Sequence, residues 1–468
     1  MMTNQQNIQS TLFTDFHNRD LYANALQYGL NYLDEVLERH VYPADEAIAD
    51  LVVFDEPFPT GPTPATAVLN QLHQFGAPAT VAQLGGRYFG FVDGSAAPAG
   101  LAAKALATFW DQNAAMHVLS PITSRLETVV ENWLRQIFKL PRQTIAGFVS
   151  GSSLGTFCGL AAARYRLLQR QGWDVNERGL FGAPQIRVVT GRQAHSTVLK
   201  AIGLLGFGKA TIEWVDVDAQ GRIIPEAMPV LDEKTMVILQ AGNVNSGAYD
   251  PFVEVCEKSR RSGAWVHIDG AFGLWAAAVP GMEHLTAGIE LADSWSVDGH
   301  KTLNTPYDCG VILCADEEAL VSALHMSGSY IIESEAKDGM FYTPEMSRRA
   351  RVIELWATMK YLGRSGIAEM VHGMHARATQ FKVELEAHGF EVLNDVVFNQ
   401  VLVSCGDNAL TLETLRNIQE ARVCWLGGSE WLGRKVMRIS VSSWATTAED
   451  VTLTVQSFVD SREKAQQA

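Results

Sequence analysis

Short β-rich runs alternate with helical segments through the middle of the chain, and this alternation constrains the fold more than any other feature. The runs lie at residues 147–149, 185–190, 212–217, 235–240, 264–268, 294–297 and 310–314. Helical patterns separate most of them, at residues 154–170, 196–205 and 253–262. Strands that alternate with helices form a mainly parallel sheet with helices on both faces. The sequence therefore predicts an α/β domain.

The rest of the chain divides around this domain. Residues 1–80 mix helical patches with Pro-rich turns and form an N-terminal segment, and the large domain spans residues 81–325. Residues 326–346 carry charges, Gly and Pro without a regular period, which is typical of an exposed, mobile loop that closes over a site. Residues 347–468 alternate helical and strand-like segments, which predicts a smaller α+β C-terminal domain.

Composition excludes several classes of protein. The 468 residues carry a net charge of −15, which argues against nucleic-acid binding because that needs a basic face. The first residues lack the basic and apolar regions of a signal peptide, and no uncharged apolar run is long enough to predict a membrane span. Six scattered cysteines without a CxxC pair indicate free thiols in a reducing compartment. We expect a cytoplasmic protein without membrane association and without a metal site.

A lysine follows the end of one strand in the run SWSVDGHKTLN, residues 294–304. Gly299 permits a tight turn there, and His300 and Lys301 come next. A side chain at the C-terminal edge of a parallel sheet faces the crevice where α/β proteins bind ligands. A lysine in such a place, taken alone, is more often a surface residue.

A carboxylate closes another strand, AWVHID, at Asp269. An ionised carboxylate beside so apolar a strand is costly unless a cation meets it, although a cap or turn aspartate is the alternative. A lysine that forms a Schiff base and a carboxylate that faces a pyridinium nitrogen are the two groups that pyridoxal 5′-phosphate (PLP) chemistry most needs. The carboxylate keeps that nitrogen protonated, so the ring can accept the electron pair of a broken Cα bond.

Two further motifs follow strand ends. Gly151, Ser152 and Ser153 open a helix, where backbone amides and hydroxyls suit a phosphate group. His195 opens the helix after the next strand, where an imidazole can stack on a flat cofactor ring. Each motif alone is also typical of an ordinary helix cap. Their order, with Asp269 and Lys301 at later strand ends, predicts a PLP site.

These segments resemble the group II PLP-dependent amino-acid decarboxylases of fold type I, which include aromatic-amino-acid, glutamate, cysteine-sulfinate and diaminobutyrate decarboxylases. The resemblance runs from about residue 80 to 370 and is carried by LSPITSRLETVVENWL, QAHSTVLKA, HIDGAFG and DGHKTLNTPYDCG. It implies a seven-stranded, mainly parallel sheet and decarboxylation of an L-amino acid to the amine and CO₂. It also implies a homodimer with active sites at the subunit interface.

The resemblance implies a role for each motif. Lys301 would be the Schiff-base lysine, Asp269 the partner of the ring nitrogen and His195 the histidine that stacks on the ring. Other residues implied to contact the cofactor are Ala271 beneath the ring, and Ser152, Ser153, Asp298 and His300. A tyrosine of the mobile loop would return a proton to the substrate, with Tyr342 as the candidate and Tyr330 as the alternative.

One departure concerns the phosphate. Asp298 stands where the aromatic branch of the family has an asparagine near that group. A carboxylate beside a phosphate needs a proton or an intervening hydrogen-bond donor.

The substrate side of the site is less constrained. Residues 89–98 align with the substrate-pocket loop of the family, which implies that Phe91, Val92 and Asp93 lie near the substrate side chain, with Asn113 contributed across the dimer. Asp93 and Asn113 favour a polar or cationic substrate, although both are also typical of solvated turns. Oxidative decarboxylation to an aldehyde, aldol cleavage, transamination and a non-catalytic PLP-fold scaffold remain alternatives.

Overall fold

A seven-stranded sheet forms the centre of the larger domain in the computed structural model, which describes residues 7–324 and 335–467. Its strands are β1 (Ile145–Val149), β2 (Arg187–Gly191), β3 (Ile212–Val215), β4 (Thr235–Gln240), β5 (Trp265–Asp269), β6 (Ser294–Asp298) and β7 (Gly310–Cys314). They lie in the order β1-β7-β6-β5-β4-β2-β3. Strand β2 pairs in parallel with β3 and β4, and β5 pairs in parallel with β4 and β6. Strand β7 is antiparallel to both β1 and β6. The predicted seven-stranded, mainly parallel sheet is confirmed.

Helices cover both faces of this sheet. The helices in the described residues are α1 (Ile8–Phe16), α2 (Arg19–Glu35), α3 (Asp45–Ala49), α4 (Ala65–Gln71), α5 (Pro98–Trp110), α6 (Pro121–Ile137), α7 (Ser152–Gln169), α8 (Val175–Arg178), α9 (Ser196–Leu204), α10 (Phe252–Ser262), α11 (Glu317–Leu324), α12 (Val352–Ala387), α13 (Asn408–Ala421) and α14 (Ala448–Gln467). Helices α7, α9 and α11 contribute to one apolar core, and α6, α10 and α12 to the other. With both faces covered, every residue of β4 is buried, as its apolar sequence predicts.

A four-stranded antiparallel sheet lies in the smaller C-terminal part. It contains β8 (Glu391–Val392), β9 (Gln400–Ser404), β10 (Gly427–Trp431) and β11 (Arg434–Ser440), in the order β10-β11-β9-β8. Its core also takes side chains from α12, α13 and α14. Helix α12 joins the two parts: Leu355 packs in the core of the large domain, Phe381 in that of the small one, and Gly363, at φ 60°, interrupts the helix between them.

The segment just after residue 80 also contacts both parts. Phe89 donates its backbone N–H to the carbonyl of Trp425 at 2.8 Å, and Ser440 donates to the carbonyl of Phe89 at 3.1 Å. The Phe89 side chain is fully buried in the core of the small domain. Because this segment and α12 each contact both parts, the domain limits drawn from the sequence stay predictions.

The N-terminal helices leave much of their apolar surface uncovered. Helices α1 to α4 contain no buried residue, although they are rich in apolar side chains. The exposed apolar residues of α1 and α2 include Leu12, Phe13, Phe16, Leu26, Leu30 and Leu33. Exposed apolar side chains in such number are typical of a protein interface. In the described ranges, no helix is both long and apolar enough to cross a membrane.

Candidate active site

A cavity of about 930 Å³ opens at the C-terminal ends of β1, β2, β4, β5 and β6. This is the edge at which parallel α/β sheets bind ligands. The cavity is lined by ten of the residues singled out from the sequence: Phe91, Gly151, Ser152, Ser153, His195, Asp269, Ala271, Asp298, His300 and Lys301. Residues that lie far apart in the chain therefore meet at one site because their strands end at one edge.

The Lys301 side chain enters this cavity from the loop after β6, and Lys301 Nζ lies 3.2 Å from Asp298 Oδ2. Its backbone is held on two sides. Asn304 Nδ2 donates to the Lys301 carbonyl at 2.7 Å and to the carbonyl of Ser442, in the small domain, at 2.7 Å. A Cβ atom added to Gly94 would lie 2.1 Å from the Lys301 carbonyl oxygen, so only glycine fits against this turn.

Asp269 closes β5, which is the hydrogen-bonded neighbour of β6. It is 5% exposed, and its Oδ1 accepts the backbone N–H of Ala271 at 3.2 Å. Burial raises the pKa of Asp269, whereas the positive potential of His195 and Lys301 acts in the opposite direction. Among the described residues no lysine or arginine forms an ion pair with Asp269, so the carboxylate is available to a cationic group in the cavity.

His195 is the N-cap of α9 and also lines the cavity. The cap interpretation is therefore confirmed, whereas stacking on the cofactor ring stays a prediction. Its Nδ1 accepts the backbone N–H of Thr197 at 3.3 Å and lies 2.7 Å from Thr197 Oγ1. Burial lowers the pKa of His195, and Asp269 opposes that shift. Because Nδ1 serves as an acceptor, the neutral ring carries its hydrogen on Nε2.

The side-chain carboxylate of Asp298 accepts the hydrogen bonds donated at the start of α7. Ser152 donates its backbone N–H to Asp298 Oδ1 at 2.5 Å and its hydroxyl to Asp298 Oδ2 at 2.6 Å. The preceding residue, Gly151, makes no side-chain cap, and Ser153 lines the same cavity. Backbone amides at a helix N-terminus attract negative groups, so this donor set suits a phosphate.

His300 is fixed from two directions. The backbone N–H of Cys309 donates to His300 Nδ1 at 3.0 Å, and the ring of Tyr307 stacks on the imidazole with centroids 4.3 Å apart. Burial lowers the pKa of His300. The remaining ring nitrogen, Nε2, lies 3.7 Å from Asp298 Oδ2. His300 therefore presents one ring N–H toward the centre of the site.

Comparison with known proteins identifies the family. The model of the pyridoxal-dependent decarboxylase conserved domain matches residues 50–405. The chain belongs to the pyridoxal-dependent decarboxylase family. It is therefore an enzyme of the PLP-dependent amino-acid decarboxylase class, and the cofactor expected from the sequence is confirmed as PLP.

Individual relatives are distant. The chain is 28% identical over 274 residues to acidic amino acid decarboxylase GADL1 of Mus musculus, which covers 54% of this chain and 48%, about half, of that protein. It is 27% identical over 351 residues to tryptophan decarboxylase 1 of Oryza sativa subsp. japonica, covering 69% of this chain and 67% of the relative. The crystal structure of Oryza sativa TDC with PLP and tryptamine superposes with a TM-score of 0.87 at 22% identity, covering 95% and 97% of the two chains. This likeness confirms the fold.

The residues of this decarboxylase fit PLP. An amine and a buried carboxylate open onto one cavity from the ends of adjacent strands, at Lys301 and Asp269. The carboxylate is suited to a protonated ring nitrogen, and the amine is suited to an aldehyde. Helix α7 supplies hydrogen-bond donors for a phosphate at Ser152 and Ser153.

The structure does not bring all the predicted substrate residues of the decarboxylase to the cavity. Phe91 lies at its mouth and is 62% exposed. Val92 is buried in the core of the large domain, and Asp93 Oδ1 accepts the hydroxyl of Tyr307 at 2.7 Å. Asn113 Oδ1 accepts two backbone N–H groups. Val92, Asp93 and Asn113 are not among the described residues that line the cavity of this single chain, so their part in substrate recognition stays a prediction.

The proposed proton donor also lies elsewhere in this chain. The Tyr342 hydroxyl donates to Glu317 Oε1 at 3.0 Å, and Lys337 Nζ lies 4.5 Å from the centre of the Tyr342 ring. Burial raises the pKa of Tyr342. Pro344 lines the cavity, whereas Tyr342 is not among its described lining residues. Tyr330 lies outside the described residues, and the role of either tyrosine stays a prediction.

Sequence reasoning missed one cationic residue that lies beside the site, although it is not among the described residues that line the cavity. Arg438 lies within β11 and donates from Nη1 to the carbonyl of Val244, a lining residue, at 3.3 Å. Burial lowers the pKa of Arg438, and its charge contributes to lowering that of His195. In the described part of the chain no carboxylate forms an ion pair with it. An arginine between the apolar residues Met437 and Ile439 of this strand was the signal in the sequence.

Proposed function

We propose that this chain converts an L-amino acid to its amine and CO₂, with Lys301, Asp269 and His195 as catalytic groups. The observation that carries the proposal is the arrangement of Lys301 and Asp269, which open onto one cavity from adjacent strands. Bound PLP supplies a sink for the electron pair that remains on Cα when CO₂ leaves. Each residue of the chain then has a distinct task.

Lys301 Nζ would hold the aldehyde carbon of the cofactor and take part again when the amine product is released. Asp269 would keep a proton on the ring nitrogen, since a buried carboxylate without an ion-pair partner is stabilised by a cation. His195 and Ala271 would contact the two faces of the ring. Ser152 and Ser153 would donate hydrogen bonds to the phosphate.

Arg438 would hold the carboxylate of the substrate. Its side chain is half-buried, lies near His195, and forms no ion pair among the described residues. Arginine binds carboxylates through paired, charge-assisted hydrogen bonds, and a buried guanidinium gains more from such a partner than an exposed one. A proton would return to Cα from a tyrosine of residues 326–346, with Tyr342 as the candidate and Tyr330 as the alternative.

The enzyme would act as a cytoplasmic homodimer. The apolar surface of α1 and α2 supports a second copy as the partner, because no described part of this chain buries it. A dimer would also give Asn113 and the tyrosine donor a route to the site from the other subunit. All six cysteines are free thiols, which is typical of proteins in a reducing compartment.

Substrate identity is proposed at the level of class. The two relatives above are named for acidic and for aromatic amino acids, so similarity leaves the side chain open. Asp93 and Asn113, if supplied near the substrate, favour a polar or cationic side chain. Rates on diaminobutyrate, ornithine, glutamate and tyrosine test this preference, and a clear preference for tyrosine would contradict it.

Replacement of the lysine tests the reaction itself. Lys301→Ala should abolish CO₂ release and remove the absorbance band of lysine-bound PLP. Lys360→Ala, at an exposed position of α12, is the matched control and should retain both. Near-normal turnover in Lys301→Ala would contradict the assignment. Peroxide formed together with CO₂ would instead identify oxidative aldehyde formation, and a protein that binds PLP without any turnover would be a scaffold.

A further inference from the structure

The carboxylate of Asp298 accepts the hydrogen bonds that a phosphate group at the start of α7 would otherwise accept. It is 1% exposed, and both of its oxygens accept hydrogen bonds from Ser152, at 2.5 Å from the backbone N–H and 2.6 Å from the hydroxyl. Lys301 Nζ lies 3.2 Å from the same carboxylate, and His300 Nε2 lies 3.7 Å from it. The protein therefore supplies its own negative charge to the donors at the start of α7.

A phosphate group at the N-terminus of α7 would lie close to the negative charge of Asp298. The donors that suit phosphate at α7 are those of Ser152 and Ser153, and the two donors of Ser152 are already directed at Asp298. Two anions in a buried site repel each other much more strongly than in water, because the effective dielectric constant is lower. Hydrogen bonds with Asp298 also hold the Ser152 backbone and hydroxyl in fixed positions before any ligand binds.

We infer that Asp298 is a positioning residue that orders Ser152 and Lys301 in the cofactor-free enzyme and reduces the contribution of the phosphate to cofactor affinity. Ser153 then becomes the principal donor to the phosphate, with Ser152 held in place behind it. The enzyme would discriminate less between PLP and its phosphate-free form, pyridoxal, than it would with a neutral residue at position 298. This inference rests on the proposed placement of the phosphate at Ser152 and Ser153.

The test compares binding of two ligands rather than activity. The full chain is freed of cofactor by dialysis against hydroxylamine and then against buffer, and dissociation constants for PLP and pyridoxal are measured by absorbance titration. The quantity of interest is the ratio of the pyridoxal constant to the PLP constant, because any effect on Lys301 is common to both ligands. Asp298→Asn should raise this ratio at least tenfold, since the amide keeps an acceptor for Ser152 and removes the charge. An unchanged or lower ratio overturns the inference.

Three further variants make the result specific. Asp298→Ala removes the charge without adding an amide and should also raise the ratio, which keeps the test available if one variant misfolds. Asp93→Asn is the charge control, because Asp93 accepts a hydrogen bond from Tyr307 and none from Ser152. If Asp93→Asn raises the ratio as much as Asp298→Asn does, the inference is overturned. Ser153→Ala should lower the ratio. If Ser153→Ala leaves the ratio unchanged, the placement of the phosphate fails. If it lowers the ratio and Asp298→Asn does not raise it, only the role of Asp298 fails.

Discussion

Gly94 offers a direct test of how tightly Lys301, the proposed catalytic lysine, is positioned. A Cβ atom at this position would lie 2.1 Å from the carbonyl oxygen of Lys301 and 2.5 Å from that of His300. Ordinary contact begins at 3.4 Å, so the backbone of one segment must move by about 1.3 Å in Gly94→Ala. Both neighbours are backbone atoms, so no flexible side chain can absorb the contact. We expect part of the shift to fall on the turn that carries Lys301.

The expected consequences are large for so small a substitution. Overpacking of this kind costs roughly 1–3 kcal/mol of unfolding free energy. A displacement near 1 Å at a reacting group lowers kcat by about 100-fold. The assay combines kcat from CO₂ release, the fraction of PLP held covalently after borohydride reduction, and the urea midpoint of unfolding.

The matched control is Gly427→Ala in β10, where an added Cβ would meet no atom within 4 Å. This variant should retain the kcat and the covalent PLP fraction of the unmodified enzyme. If Gly94→Ala matched the unmodified enzyme in all three measurements, the close packing between this glycine and the lysine turn would not constrain the site.

Three other changes probe separate parts of the structure. Asp269→Asn should lower kcat by about 100-fold while PLP stays attached to Lys301, because an amide holds the ring proton poorly; full activity would exclude the role. Arg438→Met should raise KM for the amino acid more than it alters PLP affinity; an unchanged KM would contradict carboxylate binding. Burial lowers the pKa of His267 to about 3, so only the unfolded chain takes up this proton between pH 6.5 and 3. Unfolding free energy should therefore fall by up to about 1.4 kcal/mol per pH unit on acidification, less so in His267→Gln, as urea titrations would show.

Strands of the central sheet were predictable because both faces are buried. The sequences of β4 and β7 are almost continuously apolar, and both strands were predicted at their exact limits, residues 235–240 and 310–314. Strand β10, residues 427–431, was missed. It begins with two glycines, which lack strand propensity, and it exists because a tight turn at Leu432 and Gly433, both at positive φ, pairs it with β11.

The candidate site was predictable to the extent that strand ends determine it. Asp269, Asp298, Lys301 and His195 each follow a strand of one sheet, and parallel strands bring such residues to one edge. The environment of Asp93 was not predictable, because its partner Tyr307 lies 214 residues away in the sequence. Arg438 was missed for a related reason: a strand of the other domain reaches the site only through the packing of the two domains.

Asn304 connects the backbone of Lys301 to the C-terminal part of the protein. It adopts a positive φ of 56°, and through one amide group it contacts both the Lys301 carbonyl and the Ser442 carbonyl, while its Oδ1 accepts the N–H of Trp444 at 2.7 Å. A displacement of the C-terminal part relative to the sheet would therefore strain the hydrogen bonds that fix the backbone of Lys301.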